Sequence, residues 1–487
     1  MKYLATAEQT RALDAHAIDT WGIPGTSLME VASLRVAEWV RDHTDASARV
    51  VVVTGAGNNG GDGWAVARWL AAWHRSVAVW SIKPPSHGDA LVQYKAAVAL
   101  GIEQVDALDD ATVVVDAVFG TGLSRPVQGA YEAAIHAING CAAQVVAVDI
   151  PSGIHADTGE VMGAAVRAQH TLTFAVVKPG LIQGPGAVHA GDWHVVDIGL
   201  GPAIASCHVS GTLAEDADVA ALWPRRSRFD HKTRSGHLLV VAGSPAMAGA
   251  AVLTCRAALA AGAGLVTLVT PTAAFTRLAS LPAEVMVIGH GDDTLGPLGD
   301  LDVQRYDAVA AGPGLGELPT ASQNGLRDVW RSCALPVVFD ADAVACAAGP
   351  GQGERVMTPH PGEAARFLGV PIAEVQADRV AAVRRLSEHN RVALLKGPTT
   401  LIAREDRLAA NPTGHPVLAT AGSGDVLTGV IGTLLARGLT AFDAAVVGAY
   451  VHGRAGEWLA EQRSQGWAAG DIADAIPQVV EDLIRRG

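Results

Sequence analysis

A glycine-rich segment that ends in an aspartate lies near the C-terminus of the chain and could position a phosphate group. Residues 421–425 read Ala-Gly-Ser-Gly-Asp, and an apolar run typical of a helix follows directly. The first N–H groups of a helix have no intrahelical partner and carry partial positive charge, so phosphate oxygens bind there. A carboxylate beside a bound phosphoryl group can take a proton from an attacking hydroxyl. Asp425 is therefore a candidate catalytic base, although an aspartate that only caps a helix would show the same short motif.

Three other segments in the same half carry residues of types that bind ligands, each just after a predicted strand. Residues 311–316 are Ala-Gly-Pro-Gly-Leu-Gly, residues 357–363 are Met-Thr-Pro-His-Pro-Gly-Glu, and residues 396–400 are Lys-Gly-Pro-Thr-Thr. Open parallel sheets bind their ligands at the carboxyl ends of the strands, where such loops meet. Taken singly, His360 or Lys396 is an ordinary surface residue, but four such loops together predict a site.

The first half carries a polar glycine-rich motif, since residues 55–63 read Gly-Ala-Gly-Asn-Asn-Gly-Gly-Asp-Gly. It includes the Gly-x-Gly-x-x-Gly spacing of dinucleotide-binding turns, but the next predicted strand ends at Lys83 without the acid that binds ribose. Two asparagines and an aspartate could instead bind a cation or an amide, or form only a capped tight turn. Asp116 and Asp149 lie near the ends of two further strands, each before a glycine-containing segment. The three loops together predict a polar pocket.

Composition and charge favour a globular α/β protein of two or three domains. The 487 residues are 49% hydrophobic and 17% charged, with a formal net charge of −13. We expect no nucleic-acid or membrane-surface partner, because polyanions bind to basic faces. The 5 cysteines form no Cys-x-x-Cys pair, which favours a reducing compartment without structural zinc. No apolar run reaches the length of a membrane span and the first residues turn polar too soon for a signal peptide, so we expect a cytoplasmic protein.

Alternating helical and β-branched runs predict two doubly wound α/β domains, each with a mainly parallel sheet. We expect strands at 49–54, 77–82, 112–119, 144–150, 171–177 and 194–198, and then at 237–242, 266–270, 285–288, 308–311, 336–339, 392–395 and 400–403. We expect helices at 7–20, 27–42, 64–73 and 130–138, and then at 249–261, 321–332, 378–389, 426–437 and 442–462. The alternation is lost between 199 and 224, which predicts a linker between about 201 and 225.

The second half resembles the ribokinase-like superfamily, and more closely its ADP- or ATP-dependent NAD(P)H-hydrate dehydratases, over roughly residues 228–485. The matching motifs are Thr-Pro-His-Pro-Gly-Glu, Lys-Gly-x-x-Thr and Ala-Gly-Ser-Gly-Asp-Val-Leu-Thr-Gly. The resemblance implies that Asp425 takes the proton of the ring hydroxyl while that oxygen is phosphorylated, because phosphate leaves more easily than hydroxide. Magnesium would accompany the nucleotide phosphates, with Glu363 organising its surroundings. The implied substrate contacts are Ala250, Gly316, His360 and Asp425, and the implied nucleotide contacts are Lys396, Gly397, Pro398, Thr399, Thr400 and Gly424.

The first half resembles the NAD(P)H-hydrate epimerases over roughly residues 5–210. The matching motifs are Gly-x-Gly-Asn-Asn-Gly-Gly-Asp-Gly, Asp-Ala-x-Phe-Gly-Thr-Gly-Leu and Asp-Ile-Pro-Ser-Gly. The resemblance implies that Asp149 is the general base and that Asn59, Asp116 and Ser152 bind a potassium ion. The ring nitrogen could expel the hydroxyl from the epimerised carbon, and water could return to either face. The implied substrate contacts are Asn58, Asn59, Gly60, Gly61, Asp62, Gly120, Thr121, Gly122, Leu123, Ser124, Arg125, Pro126 and Asp149.

Together the two resemblances predict a bifunctional isomerase and lyase that repairs hydrated NADH or NADPH. A Rossmann-like epimerase domain, residues 1–212, would interconvert the R and S forms. A ribokinase-like domain, residues 222–487, would dehydrate the S form using ADP, with AMP and phosphate as products. Its partners would be these small molecules, and we expect a homo-oligomer. Two alternatives are a ribokinase-like small-molecule kinase with an N-terminal nucleotide-binding module, and a binding role for a degenerate first half; the sequence leaves ADP against ATP and NADH against NADPH open.

Overall fold

The computed structural model describes residues 2–207, 209, 211–228 and 232–486. The chain forms two compact units, Lys2–Gly211 and Thr212–Gly487, called here the first and second unit. Within the described part of the chain, no helix is both long enough and apolar enough to cross a membrane.

The first unit is built around a seven-stranded sheet in which all neighbouring strands are parallel. Its elements are β1 (Lys2–Leu4), α1 (Ala7–Asp19), α2 (Gly25–His43), β2 (Val50–Thr54), α3 (Asn58–Ala72), β3 (Val77–Ser81), α4 (Gly88–Ala99), β4 (Glu103–Val105), β5 (Val113–Ala117), α5 (Ala130–Gly140), β6 (Gln144–Val148), β7 (His170–Phe174), α6 (Gly184–His189), β8 (Asp192–Val196) and α7 (Gly201–Ser206). The strand order in the sheet is β4-β3-β2-β5-β6-β7-β8.

Both faces of this sheet are covered, as the predicted doubly wound architecture requires. Side chains of successive strand residues point to opposite faces. Val113 and Val115 of β5 belong to the apolar cluster on one face, whereas Val114 belongs to the cluster on the other face. The continuous valine runs of the sequence are therefore strands buried on both sides, as expected for a parallel sheet.

The second unit contains a larger mixed sheet. Its elements are β9 (Gly211–Leu213, which spans the division between the units), α8 (Asp216–Leu222), β10 (His237–Val241), α9 (Ala248–Ala260), β11 (Leu265–Thr270), β12 (Met286–Gly289), β13 (Ala308–Ala311), α10 (Thr320–Ser332), β14 (Val337–Phe339), β15 (Arg355–Met357), α11 (Pro361–Leu368), α12 (Ile372–Ala377), α13 (Arg379–Leu386), β16 (Val392–Leu395), β17 (Leu401–Arg404), β18 (Arg407–Ala410), α14 (Ser423–Ala436), α15 (Ala441–Gln462) and α16 (Ala469–Arg486). The order β18-β17-β16-β15-β14-β13-β10-β11-β12 is parallel from β12 to β16, and β17 and β18 pair antiparallel.

Several elements depart from the sequence prediction. Helix α3 begins at Asn58, earlier than the predicted start at residue 64, because the polar glycine motif itself forms the first helical turns. Glycine disfavours helix, so the sequence predicts a turn over this motif and a helix only after it. The sequence does not predict strands β4, β15 and β18, because they are too short to show a two-residue period. It also does not predict helix α16, which contains Pro477. Helices and a strand occupy the predicted linker at 201–225, although the division between the units falls inside it.

Helix α14 is the central helix of the second unit, and it carries Asp425 in its first turn. All its residues from 426 to 436 are buried, as expected for a helix that is apolar on every side. Its contact with α9 requires glycine, because a Cβ on Gly429 would lie 2.2 Å from the carbonyl oxygen of Thr254. This close packing fixes the position of the helix start.

Replacing Gly429 with alanine should reduce the free energy of unfolding by about 1–3 kcal/mol, because overpacking forces the two helices apart. Gly249 of α9 is the matched control, since a Cβ there would meet no atom within 4 Å. Gly249→Ala should be neutral or stabilise by up to about 1 kcal/mol. Urea unfolding followed by circular dichroism measures both variants. An equal midpoint for the two would show that the helices do not need glycine at this contact.

Candidate functional site

A cavity of about 990 Å³ lies where β2, β5 and β6 end in the first unit. Most of the predicted substrate contacts line this cavity: Asn58, Asn59, Asp62, residues 120–126 and Asp149. Gly60 and Gly61 do not line it. A Cβ on Gly60 would lie 1.9 Å from the Gly55 carbonyl oxygen, and one on Gly61 would lie 2.7 Å from the Ala90 Cα. These two glycines are needed for the close packing of α3.

Asp149 follows β6 in a left-handed backbone conformation, with φ of 68°. Its carboxylate accepts a hydrogen bond of 2.5 Å from the Nζ of Lys178, which is completely buried. Lys178 also donates to Thr173 Oγ1 at 3.1 Å and to the Phe174 carbonyl at 3.0 Å. Three acceptors therefore satisfy its three N–H groups. Lys178 was missed from the sequence; the only available signal is that it directly follows a predicted strand.

Two further carboxyl groups line the same cavity, from α1 and α3. Burial raises the pKa of Asp62 well above its ordinary value; nearby Asp149 and Asp14 add to this increase, and a contact with Ser33 opposes it. Burial raises the pKa of Asp14 to about 6, against the opposing charge of Lys178. Asp14 was not predicted as a site residue. The cavity therefore holds carboxyl groups with different affinities for protons.

The predicted potassium ligands are Asp116 near the end of β5, Asn59 in the first turn of α3 and Ser152 in the loop after β6. Asp116 is fully buried and accepts hydrogen bonds from Ser152 Oγ at 2.6 Å and Ser152 N at 2.8 Å. Burial raises the pKa of Asp116 to about 6, although these hydrogen bonds lower it. The side-chain oxygen and nitrogen of Asn59 are buried, and neither has a partner among the described residues. A buried amide without partners is costly, so this side chain fits a site that binds a ligand.

In the second unit, Asp425 lies next to a charged pair at the ends of β14 and β16. Burial raises the pKa of Asp425 to about 7; Asp340 adds to this increase and Lys396 opposes it. The buried Asp340 accepts hydrogen bonds from Lys396 Nζ at 2.7 Å and from Thr428 Oγ1 at 2.8 Å. Asp340 was missed from the sequence, although it directly follows the predicted strand 336–339. Asp340 therefore connects the loop that begins at Lys396, called here the lysine loop, to the first turns of α14.

The predicted nucleotide-binding loop, residues 396–400, lies against the start of α14. A Cβ on Gly424 would lie 3.2 Å from Lys396 Nζ. Burial lowers the pKa of this lysine, but Asp340 and Glu363 raise it more, so the net shift is upward and the ammonium stays charged. The buried guanidinium of Arg379 lies under the loop and donates to the Thr399 carbonyl at 2.8 Å. Gly424 thus lies beside the lysine loop. Arg379, which the sequence analysis did not identify, supports that loop.

A second cavity, of about 820 Å³, is lined by Gly316, Asp342 and Glu363 among others. Glu363 lies 4.0 Å from Lys396 Nζ, so one end of the cavity reaches the charged pair. The Gly316 N–H donates to Asp342 at 2.8 Å. Of the predicted substrate contacts, Gly316 lines this cavity, whereas Ala250, His360 and Asp425 do not.

His360 and Ala250 have structural contacts of their own. His360 Nδ1 accepts from the Gly362 N–H at 3.0 Å, and Glu363 accepts from the His360 N–H at 2.8 Å, which together cap α11. The imidazole is 53% exposed, which leaves a face of the ring accessible. A Cβ on Gly314 would lie 2.7 Å from the Ala250 Cβ, so this glycine brings the loop after β13 close to α9.

Comparisons with known proteins match both units. Residues 25–180 match the family model described as YjeF-related protein N-terminus, and residues 238–478 match the model described as NAD(P)H-hydrate dehydratase. The chain is 39% identical over 516 residues to the bifunctional NAD(P)H-hydrate repair enzyme Nnr of Moorella thermoacetica, covering 99% of this chain and 97% of that protein. The chain belongs to the bifunctional NAD(P)H-hydrate repair enzyme family. The Escherichia coli relative of the same description is 34% identical over 487 residues, covering 97% of this chain and 93% of that protein.

A solved structure resembles part of the chain. The ADP/ATP-dependent NAD(P)H-hydrate dehydratase of Bacillus subtilis, co-crystallized with ATP and Mg²⁺, is 31% identical, with a TM-score of 0.51. The match covers 55% of this chain and 97% of that structure. The predicted fold class and family resemblance are confirmed, whereas the roles of individual site residues stay predictions.

Replacing Lys178 with methionine should lower the free energy of unfolding by about 3–5 kcal/mol, because Asp149 would be left as a buried, unpaired charge. The double variant Lys178→Met with Asp149→Asn should recover part of this loss, since the amide carries no charge and asparagine tolerates positive φ. Lys95→Met, at an exposed site on α4, is the control and should change stability by less than about 0.5 kcal/mol. Urea unfolding measures all three; a Lys178→Met protein as stable as the control would show that the ion pair does not stabilise the first unit.

Proposed function

We propose that the protein repairs NADH or NADPH that has been hydrated on the nicotinamide ring. The first unit interconverts the R and S forms of the hydrate, and the second unit dehydrates the S form at the expense of ADP or ATP. The observation that carries this proposal is the presence in each unit of a carboxylate paired with a lysine at strand ends beside a ligand-sized cavity. Membership of the repair-enzyme family supports it.

For epimerisation, Asp149 is the general base. The cavity wall formed by Asn58, Asn59, Asp62 and residues 120–126 supplies backbone N–H groups and polar side chains for the dinucleotide. The ring nitrogen of the hydrate expels the neighbouring hydroxyl, and Asp149 takes a proton from the water that returns. Lys178 holds this carboxylate in place by a direct hydrogen bond.

The predicted potassium ion would be held by Asn59, Asp116 and Ser152. Oxygen donors suit a hard cation, and the unpartnered amide of Asn59 fits such a ligand set. When bound, the ion supplies positive charge near the buried Asp116. The protein's own contribution is the fixed arrangement of Asp116 and Ser152, which are joined by two hydrogen bonds.

For dehydration, Asp425 takes the proton of the ring hydroxyl as its oxygen attacks the terminal phosphoryl group of the nucleotide. Lys396 and the N–H groups at the start of α14 bind the phosphate charge. The new phosphate ester leaves with the electrons of its bond to carbon, a proton leaves the neighbouring ring carbon, and the reduced nicotinamide is restored. Magnesium carried by the nucleotide phosphates supplies further positive charge when bound, with Asp342 and Glu363 as the carboxylates lining the cavity there.

Replacing the proposed bases Asp149 and Asp425 one at a time should abolish one activity and leave the other. Wild-type protein mixed with R,S-hydrated NADH and ADP should restore all of the reduced-nicotinamide absorbance. Asp425→Asn should reduce recovery by about 100-fold or more while R and S still interconvert. Asp149→Asn should restore only the S fraction rapidly. Comparing reactions without nucleotide, with ADP and with ATP identifies the phosphoryl donor. A product analysis that finds a stable phosphorylated dinucleotide instead of free phosphate would identify a kinase.

The pH dependence of dehydration should report Asp425. Because its pKa is raised to about 7, the ionised base is lost as the pH falls through that value, and kcat/KM should fall with it. Asp340→Asn removes a neighbouring negative charge that raises this pKa, so the acid limb should move to lower pH. Asp328→Asn, at an exposed site on α10, is the control and should leave the limb in place. An acid limb that stays near 7 in Asp340→Asn would contradict the assignment of Asp425.

A further inference from the structure

Arg379, the first residue of α13, is a buried cation without a carboxylate partner among the described residues. It is 4% exposed, and its guanidinium donates to Gln376 Oε1 at 3.2 Å. Its other acceptors are backbone carbonyl oxygens, those of Leu395, Lys396 and Thr399. Burial lowers the pKa of the guanidinium, and no neighbouring negative charge opposes that shift. Because an arginine stays charged in proteins, an unbalanced positive charge lies under the lysine loop.

The lysine loop is built around this guanidinium. The Thr399 carbonyl accepts from it at 2.8 Å and the Lys396 carbonyl at 3.4 Å. A Cβ on Gly397 would lie 2.5 Å from Nη1 of Arg379, so the backbone between these two carbonyls lies directly against the charged group. The Thr400 hydroxyl donates to the Gly397 carbonyl at 3.4 Å and closes the loop. The guanidinium thus fixes the direction of two peptide groups.

Fixing these two carbonyl groups also fixes the N–H groups of the same peptide planes. Across a trans peptide bond, the carbonyl of one residue and the N–H of the next point in opposite directions, and the described peptide bonds are trans. The Gly397 and Thr400 N–H groups therefore point away from Arg379. Neither donates to another described residue. Gly397 and Pro398 are exposed, so a ligand can reach the loop.

We propose that Arg379 is a positioning residue of the nucleotide site, which directs the Gly397 and Thr400 N–H groups to a phosphate of the bound ADP or ATP. This inference rests on the dehydratase activity proposed above. The phosphate accepts from the two N–H groups, and its negative charge balances the guanidinium across the loop. A peptide N–H is a stronger donor when its own carbonyl accepts from a cation, because linked hydrogen bonds polarise one another. Arg379 acts through the loop and not by contact with the nucleotide.

The neighbouring charges distinguish a phosphate from the adenine base as the group that the loop binds. Lys396 pairs with Asp340 at 2.7 Å and lies 4.0 Å from Glu363, so its charge is balanced within the protein. The charge of Arg379 is not balanced, and N–H groups without acceptors beside it favour an anion. The start of α14 lies beside the loop, since a Cβ on Gly424 would lie 3.2 Å from Lys396 Nζ, and its N–H groups also favour an anion.

Nucleotide binding to the full chain, measured by isothermal titration calorimetry, tests this role without hydrated substrate. Arg379→Met should weaken ADP binding by about 10-fold or more, because two hydrogen bonds to a charged group lose their alignment. Adenosine, which has no phosphate, should lose less than about 3-fold by the same reasoning. Arg379→Lys keeps the charge without the planar fork and should recover part of the affinity for ADP. Arg384→Met, at an exposed site on the same helix, is the matched control and should bind ADP as the wild type does.

The kinetics of dehydration separate positioning from a general loss of structure. In Arg379→Met the KM for ADP should rise, whereas kcat at saturating ADP should stay within about 2-fold, because the loop binds the ground state and the transition state alike. An unchanged affinity for ADP, or a fall in kcat with KM unchanged, would overturn the role of Arg379. An equal loss of affinity for ADP and adenosine would show that the loop binds the base.

Hydrogen exchange in the wild-type protein provides a measurement that does not depend on a variant that folds. Peptides covering residues 396–400 should exchange more slowly with saturating ADP than with saturating adenosine, because the phosphate occupies the two N–H groups. Equal exchange with the two ligands would overturn the inference. A wild-type protein that binds ADP with this protection but restores no reduced nicotinamide would instead contradict the proposed function and leave the role of Arg379 intact.

Discussion

The cost of burying carboxylates at the ends of a parallel sheet constrains both halves of this protein. An ionised carboxylate out of water costs several kcal/mol unless it is paired and hydrogen-bonded. In the first unit Lys178, which follows β7, pairs with Asp149, which follows the neighbouring strand β6. In the second unit Lys396 follows β16 and pairs with Asp340, which follows β14. Each pair can form only if the strand order is correct, so the fold and the charged centre depend on each other.

The lysine pairs with the proposed base Asp149 in the first unit, but with a neighbour of the proposed base, Asp340, in the second unit. In the second unit the lysine pairs with Asp340, which leaves Asp425 only partly compensated and raises its pKa to about 7. A base with a pKa near the working pH combines a useful ionised fraction with strength as a proton acceptor. In the first unit the lysine pairs directly with Asp149, and Asp62 is the uncompensated group. In each unit, a carboxyl group that the lysine does not pair with has a raised pKa.

The glycine-rich loops and their aspartates could be predicted because they form long local motifs after valine-rich strands. Asn58, Asp62 and Asp149 line one cavity as that pattern indicates. Lys178 and Asp340 could not be found in this way, since each is a single charged residue whose importance depends on a partner from another strand. The start of α3 was placed too late, because packing against Gly55 and α4 stabilises a helical turn that glycine disfavours locally. Local propensity predicts elements, whereas tertiary contacts decide these details.

The proposed chemistry also explains why the two activities are useful on one chain. Asp425 is fixed at the start of a helix that is buried from residue 426 to 436, so this base approaches the ring from one direction. A single fixed base and a fixed phosphate site favour one epimer of the hydrate. The epimerase activity accepts both forms, so it returns either epimer to an equilibrium mixture. Because phosphoryl transfer removes the S form irreversibly, mass action then draws the R form through the same equilibrium, and no further energy source is required for complete repair.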